Sequence, residues 1–179
     1  MPSVDLINKL LAIATIGGQI FIVIGTIYAI IERKKANNAI IQFFARNGMF
    51  FSFIILLTAM IGSLVYSGVI GYAPCDLCWY QRIFSYPSVF LLGMGMIRRD
   101  QKIINYVLML SIIGSIISLY HNYISLGGES FLPCPATGVS CTKLYVYEFG
   151  YISIPMMMLT AFALTIFLLI IQKKFSTAK

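Results

Sequence analysis

Long apolar blocks alternate with short polar connections along most of this 179-residue chain. A membrane span needs about 20 mostly apolar residues. Five stretches meet that length: roughly 10–31, 48–70, 79–97, 103–126 and 153–172. Together they use nearly the whole chain, so the pattern predicts an all-α polytopic membrane protein built as one helical bundle, with no soluble domain. The first block is too long for the apolar core of a signal peptide, lacks a basic segment before it, and is followed by Glu32-Arg33-Lys34-Lys35 rather than a cleavage site, so it is read as a span. Residues 32–47 mix Ile40, Ile41, Phe43 and Phe44 with Lys35, Asn37, Asn38 and Arg46, which predicts an amphipathic connection lying at the headgroup level. Gly17, Gly18 and Gly25 in the first span, and Ser111, Gly114, Ser115 and Ser118 in the fourth, predict close helix–helix approach. Pro87 predicts a kink in the third span, and Pro155 suits the first turn of the last.

Composition agrees with the pattern. The chain is 59% hydrophobic and only 11% charged, where a soluble domain is about one quarter charged. A net charge of +7 in a soluble protein would suggest nucleic acid, but its distribution here excludes that reading. Ten of the thirteen Lys and Arg fall in three clusters: Arg33, Lys34, Lys35 and Arg46; Arg98, Arg99 and Lys102; and Lys173, Lys174 and Lys179. With five spans all three clusters share one side, and the positive-inside rule makes that side cytoplasmic, with the N-terminus out and the C-terminus in. Only Lys9, Arg82 and Lys143 belong to the other side.

That orientation bears on the cysteines. Cys75, Cys78, Cys134 and Cys141 all fall in the two connections on the non-cytoplasmic side. An even number confined to the oxidising face of a membrane reads as disulfide chemistry. A zinc site is the alternative, but the second pair is spaced by six residues and His121 is the only histidine. Two structural staples are another alternative, as in a non-enzymatic membrane subunit. Two pairs on one face favour a relay.

The third span opens on Pro74-Cys75-Asp76-Leu77-Cys78-Trp79-Tyr80-Gln81-Arg82. A thiol at a helix N-terminus meets exposed N–H groups and a partial positive charge, which favour its thiolate. Arg82 follows Cys78 by four residues and shares its helix face, where it would lower the thiol pKa further or hold an oxygen of a bound redox molecule; the bland reading is an arginine snorkelling to the interface. Trp79 and Tyr80 suit an interfacial aromatic belt. His121 ends the fourth span on the same side as the Cys-x-x-Cys, either handling a proton or quinone or simply solvated. Met156-Met157-Met158 is read as packing rather than copper ligation. The loop 127–152, carrying Cys134 and Cys141, has the glycines and prolines of an extended or turning segment, and Tyr145 to Tyr151 is apolar enough to dip into the interface.

The string Pro74 to Ile83, a histidine closing the next outward-going span, the Cys134/Cys141 loop and Phe149-Gly150-Tyr151-Ile152-Ser153-Ile154-Pro155 together resemble the bacterial disulfide bond formation protein B family, in its Gram-positive-type branch. The resemblance covers about 48–172. It implies a four-helix membrane domain at 48–179, with 1–47 as an additional N-terminal helix and its cytoplasmic connection. It further implies a thiol:quinone oxidoreductase of the bacterial plasma membrane. A soluble thioredoxin-like thiol oxidase outside the cytoplasm would form a mixed disulfide with Cys134. Cys141 would exchange with Cys75, and Cys78 would contact the quinone (ubiquinone or menaquinone), with Arg82 beside it and His121 nearby. The vitamin K epoxide reductase family also couples thiols to quinones, but by resemblance its loop pair precedes the Cys-x-x-Cys, the reverse of the order here.

Overall fold

The computed structural model describes residues 2–31, 39–129 and 141–176. Five helices make up almost all of it: α1 (Pro2–Ile31), α2 (Ala39–Leu64), α3 (Asp76–Arg98), α4 (Ile103–Ser125) and α5 (Ile154–Ser176). Among the described residues the only β-type pairing is an isolated bridge between Glu148 and Ile152. α2 packs on α3, α3 on α4, α4 on α5, and α5 closes the ring most extensively against α2, while α1 leans on α5 from outside. The result is a four-helix bundle with one additional helix: the five helices are those the apolar runs predict, and the four-plus-one arrangement is the one the resemblance implies.

The distribution of side chains is that of a protein in lipid. Large apolar residues point outward, with Ile97 86%, Phe90 67% and Ile116 63% exposed, whereas Ser52, Ser85, Ser88, Ser111 and Ser118 are completely buried. Lipid removes the hydrophobic reward for burying large side chains, and small residues let helices approach closely. α1, α2, α4 and α5 are each long and apolar enough to cross a membrane. α3 is less apolar because its inward face carries Gln81, Ser85 and Ser88. Its 23 residues nevertheless reach about 34 Å, enough for a hydrocarbon core of about 30 Å. The chain is a multi-pass membrane protein.

Several local expectations change. The connection expected to lie flat over 32–47 is, from Ala39 onward, the start of α2, continuous with the span; residues 32–38 lie outside the described residues. No breaker precedes Gly48, and Gly48 itself is held against α5, where a Cβ would stand 2.9 Å from the Leu168 carbonyl oxygen. Gly18 and Gly25 do meet α5, facing Leu164 and Phe167, but Gly17 has nothing within 4 Å. In α4, Ser111, Gly114 and Ser118 form the buried face, with Gly114 against the Phe162 ring, while Ser115 sits at its edge. α3 continues as one helix through Pro87, the position predicted to kink it. Pro155 is the second residue of α5, as expected.

α2 does not end at a simple turn. It passes into one π turn, Val65–Val69, closed by Ile70 N–H to the Val65 carbonyl, and Gly71 at φ 82° then redirects the chain toward the cysteines. At the other end of the bundle, Arg99 at φ 54° terminates α3, and Asp100 accepts the Lys102 N–H to set the tight turn into α4.

Candidate functional site

Cys75 caps α3 in an extended conformation (φ −78°, ψ 170°), and its carbonyl accepts the first helical bond from the Trp79 N–H at 3.1 Å. Cys78 therefore lies in the first turn, on the side of Cys75, and the two sulfurs stand 3.1 Å apart in hydrogen-bond contact. The last turn of α4 brings His121, only 4% exposed, to the other side of Cys75, with Nε2 3.6 Å from its Sγ. Gln81, also buried, sets its Nε2 3.2 Å from His121 Nδ1. With that amide nitrogen donating, Nδ1 accepts and Nε2 carries the proton that faces the Cys75 sulfur.

The two thiols are electrostatically unlike. Cys75 is pushed up to about 12, first because its own proton is engaged with Cys78 and then by burial, against an opposing pull from His121. Cys78 is held below its ordinary value, first by the hydrogen bond from Cys75, and further by the Cys75 backbone and the Arg82 charge, with burial opposing. The thiolate that a helix N-terminus favours is thus concentrated on one sulfur. Arg82 does not snorkel away: Nε donates to Ser63 Oγ at 2.9 Å and an Nη donates to the Ser63 carbonyl at 3.2 Å, while the guanidinium lies 5.1 Å from the Trp79 ring centre.

Two cavities meet at Cys78. The small one, about 30 Å³, is lined by Cys75, Cys78, His121 and Cys141 among others. The large one, about 290 Å³, is walled mostly by apolar side chains of α1, α2 and α5, with Cys78, Gln81, Arg82 and Ser63 at one end. Tyr66, Tyr72 and Tyr145 stack beside it, with ring centres 5.8 Å apart for the first pair and 4.6 Å for the second.

The predicted residues are therefore largely assembled. Cys75, Cys78 and the buried Cys141 share one cluster with Leu77 and Ile124. Cys134 lies outside the described residues. His121 stands on the thiol side, next to Cys75, and does not line the large cavity. Trp79 and Tyr80 are half-exposed, and Met157 and Met158 line the large cavity. Gln81 was part of the motif but had no role assigned from sequence; its spacing of three residues from Cys78 placed it on the same helix face. Ser63 and the tyrosine stack carried no comparable signal. The Cys75, Cys78 and His121 ligand atoms lie within 4.8 Å of one another, a set that zinc accepts. Sulfurs held by a metal would be blocked from disulfide exchange, so the two uses exclude each other.

Residues 45–172 match the family model described as disulfide bond formation protein DsbB. The chain is 40% identical over 128 residues to disulfide bond formation protein C of Bacillus subtilis, covering 70% of this chain and 91% of that protein. It is 44% identical over 133 residues to the probable disulfide formation protein C of Halalkalibacterium halodurans, covering 72% and 96%. To the SPbeta prophage-derived disulfide bond formation protein B of Bacillus subtilis it is 43% identical over 102 residues, covering 57% and 69%. No solved structure matches the chain.

Proposed function

Because this chain belongs to the disulfide bond formation protein DsbB family, we propose that it is a membrane thiol:quinone oxidoreductase that reoxidises a thioredoxin-like thiol oxidase outside the cytoplasm. The observation that carries this reading is the double position of Cys78, which lines both the small thiol cavity and the large apolar one. A dithiol there can exchange with cysteines on one side and face a lipid-soluble acceptor on the other.

The large cavity suits a quinone. Its volume of about 290 Å³ sits at the lower edge of the roughly 300–1,000 Å³ of ligand pockets. Its walls fit a flat apolar ring, and Arg82 and Gln81 at the Cys78 end offer N–H donors to a carbonyl oxygen that gains negative charge on reduction. A bound quinone supplies an acceptor for two electrons and two protons per cycle. The remaining steps belong to the chain's own sulfurs. A partner thiolate attacks Cys134 in the Cys134–Cys141 disulfide, and the second partner thiol displaces Cys134, leaving the partner oxidised and the loop pair reduced. Cys141 then attacks Cys75 in the Cys75–Cys78 disulfide and Cys78 departs. The Cys75 backbone and the Arg82 charge, neither of which needs a Cys75 proton, stabilise the departing Cys78 thiolate and make it the better leaving group. Cys134 attacks Cys141, restoring the loop disulfide and releasing Cys75, which takes up a proton next to His121 Nε2. Each exchange conserves electrons.

The test is quinone reduction by the purified protein supplied with a reduced thioredoxin-like oxidase. Turnover should occur with the wild type and vanish in Cys78→Ser. Failure of the wild type with both ubiquinone and menaquinone analogues would sink the proposal and leave a bundle stapled by disulfides.

A further inference from the structure

α1 lies wholly outside the matched residues 45–172, yet it forms part of the large cavity. Leu11, Ala14 and Thr15, spaced to share one helix face, line the large cavity opposite residues of α2, α3 and α5. Leu11 reaches across to 3.8 Å from where a Cβ on Gly62 of α2 would stand. The helix is also tethered to both α5 and α2. On the α5 side Gly18 allows contact with Leu164 and Thr160, Gln19 Nε2 donates to Thr160 Oγ1 at 3.1 Å, and Tyr151 OH donates to Gln19 Oε1 at 2.9 Å. On the α2 side the buried Asn8 Oδ1 accepts from Tyr66 OH at 2.8 Å, and Tyr66 belongs to the π turn that lines the cavity. Such side-chain bonds cost little to keep and much to break in an apolar setting. A helix that only anchored the chain in lipid would not need them.

We infer that α1 is a fixed wall of the acceptor cavity and that the small side chain of Ala14, with Thr15, determines which quinones fit beside Cys78. This rests on the quinone reading above and adds a selectivity element that the four-helix core lacks. In the core alone, the cavity would lack the wall that Leu11, Ala14 and Thr15 supply. With α1 in place, ring bulk is limited by the distance between Ala14 and the α2 wall.

The experiment uses the full-length protein and two probes, a one-ring benzoquinone and a two-ring naphthoquinone. Binding is read by quenching of Trp79, the only tryptophan, and turnover by KM. Disulfide exchange between the pre-oxidised protein and a reduced thioredoxin-like protein reports the fold without quinone. Ala14→Phe should raise Kd and KM for the naphthoquinone by about tenfold or more, the scale of an overpacked site, with a smaller effect on the benzoquinone and exchange at the wild-type rate. Ile13→Phe, whose side chain faces outward, should leave all values unchanged. Should Ala14→Phe lose exchange through misfolding, Asn8→Leu provides the second test: freeing the wall should narrow the difference between the two quinones. Unchanged discrimination in that variant overturns the inference. If Thr58→Phe on the α2 wall raises Kd and Ala14→Phe does not, α1 is no wall while the quinone reading stands. If neither variant changes quinone binding by an active protein, the acceptor sits elsewhere and both readings fall.

Discussion

Two sulfurs 3.1 Å apart, in chemically identical residues, are pulled in opposite directions. The difference comes from position: Cys75 is the cap, buried against His121, whereas Cys78 is in the first turn and receives a hydrogen bond. Because the Cys78 thiol is held down, its thiolate persists as pH falls below the ordinary thiol range of about 8.5; Cys75 stays protonated until strongly alkaline conditions. Alkylation of the reduced protein at neutral pH should therefore modify Cys78 and spare Cys75, with mass spectrometry as the check. Cys75→Ala removes the donor, so the Cys78 midpoint should move upward; an unmoved midpoint would count against the hydrogen bond as cause. Gln81 permits a second test. Gln81→Glu keeps the shape but offers only acceptors when ionised, which draws the proton to Nδ1 and leaves Nε2 bare toward Cys75. Both Gln81→Glu and Gln81→Leu should slow Cys141–Cys75 exchange by about tenfold, the worth of one buried hydrogen bond, as read by stopped-flow quenching. Wild-type exchange in Gln81→Glu would remove the tautomer from the mechanism.

At the scale of the helix, glycines within two apolar spans behave differently. A Cβ on Gly114 would stand 2.4 Å from the ring of Phe162, itself fully buried, while one on Gly17 would meet nothing within 4 Å. Gly114→Ala should therefore destabilise the α4–α5 contact by about 1–3 kcal/mol, and Gly17→Ala should be neutral or slightly stabilising because alanine is the better helix former. Thermal unfolding in detergent, following helicity, distinguishes them; equal shifts would show that the α4–α5 approach has slack. The serine and glycine spacing of α4 was legible because small residues three and four apart share a face. Which glycine of the adjacent pair Gly17-Gly18 meets a neighbour was not, since about 100° of rotation separates them and only the docked partner selects one.

For the molecule as a whole, three cationic clusters at alternate connections predict its orientation. In a background with the native cysteines replaced, an impermeant maleimide added to intact cells should label Glu129→Cys and not Asp100→Cys. The reverse pattern would place the cysteine loop in the cytoplasm, where a disulfide relay has no oxidising partner. Arg82 illustrates how scales connect. Replacing it with Met would remove two bonds to Ser63 of α2 as well as a charge near Cys78. Quinone reduction should fall by about 10- to 100-fold, the range for a charged hydrogen bond, and the Cys78 midpoint should rise. Unchanged turnover and titration would return Arg82 to a packing role.

Length and periodicity of apolar runs were enough for five helices, because a chain in lipid must satisfy its backbone within each span and needs about 20 residues to do so. The Cys75, Cys78, Arg82 and His121 candidates were likewise legible, since their chemistry and spacing are local to helix ends. Sequence could not show that His121 belongs to Cys75 and Gln81 rather than to the large cavity, that Arg82 binds Ser63, or that α1, which lies outside the family's matched region, lines that cavity. Those facts depend on the rotation and docking of helices far apart in the chain. Apolar spans resemble one another too closely along the sequence for that docking to be read there, so only packing in three dimensions decides it.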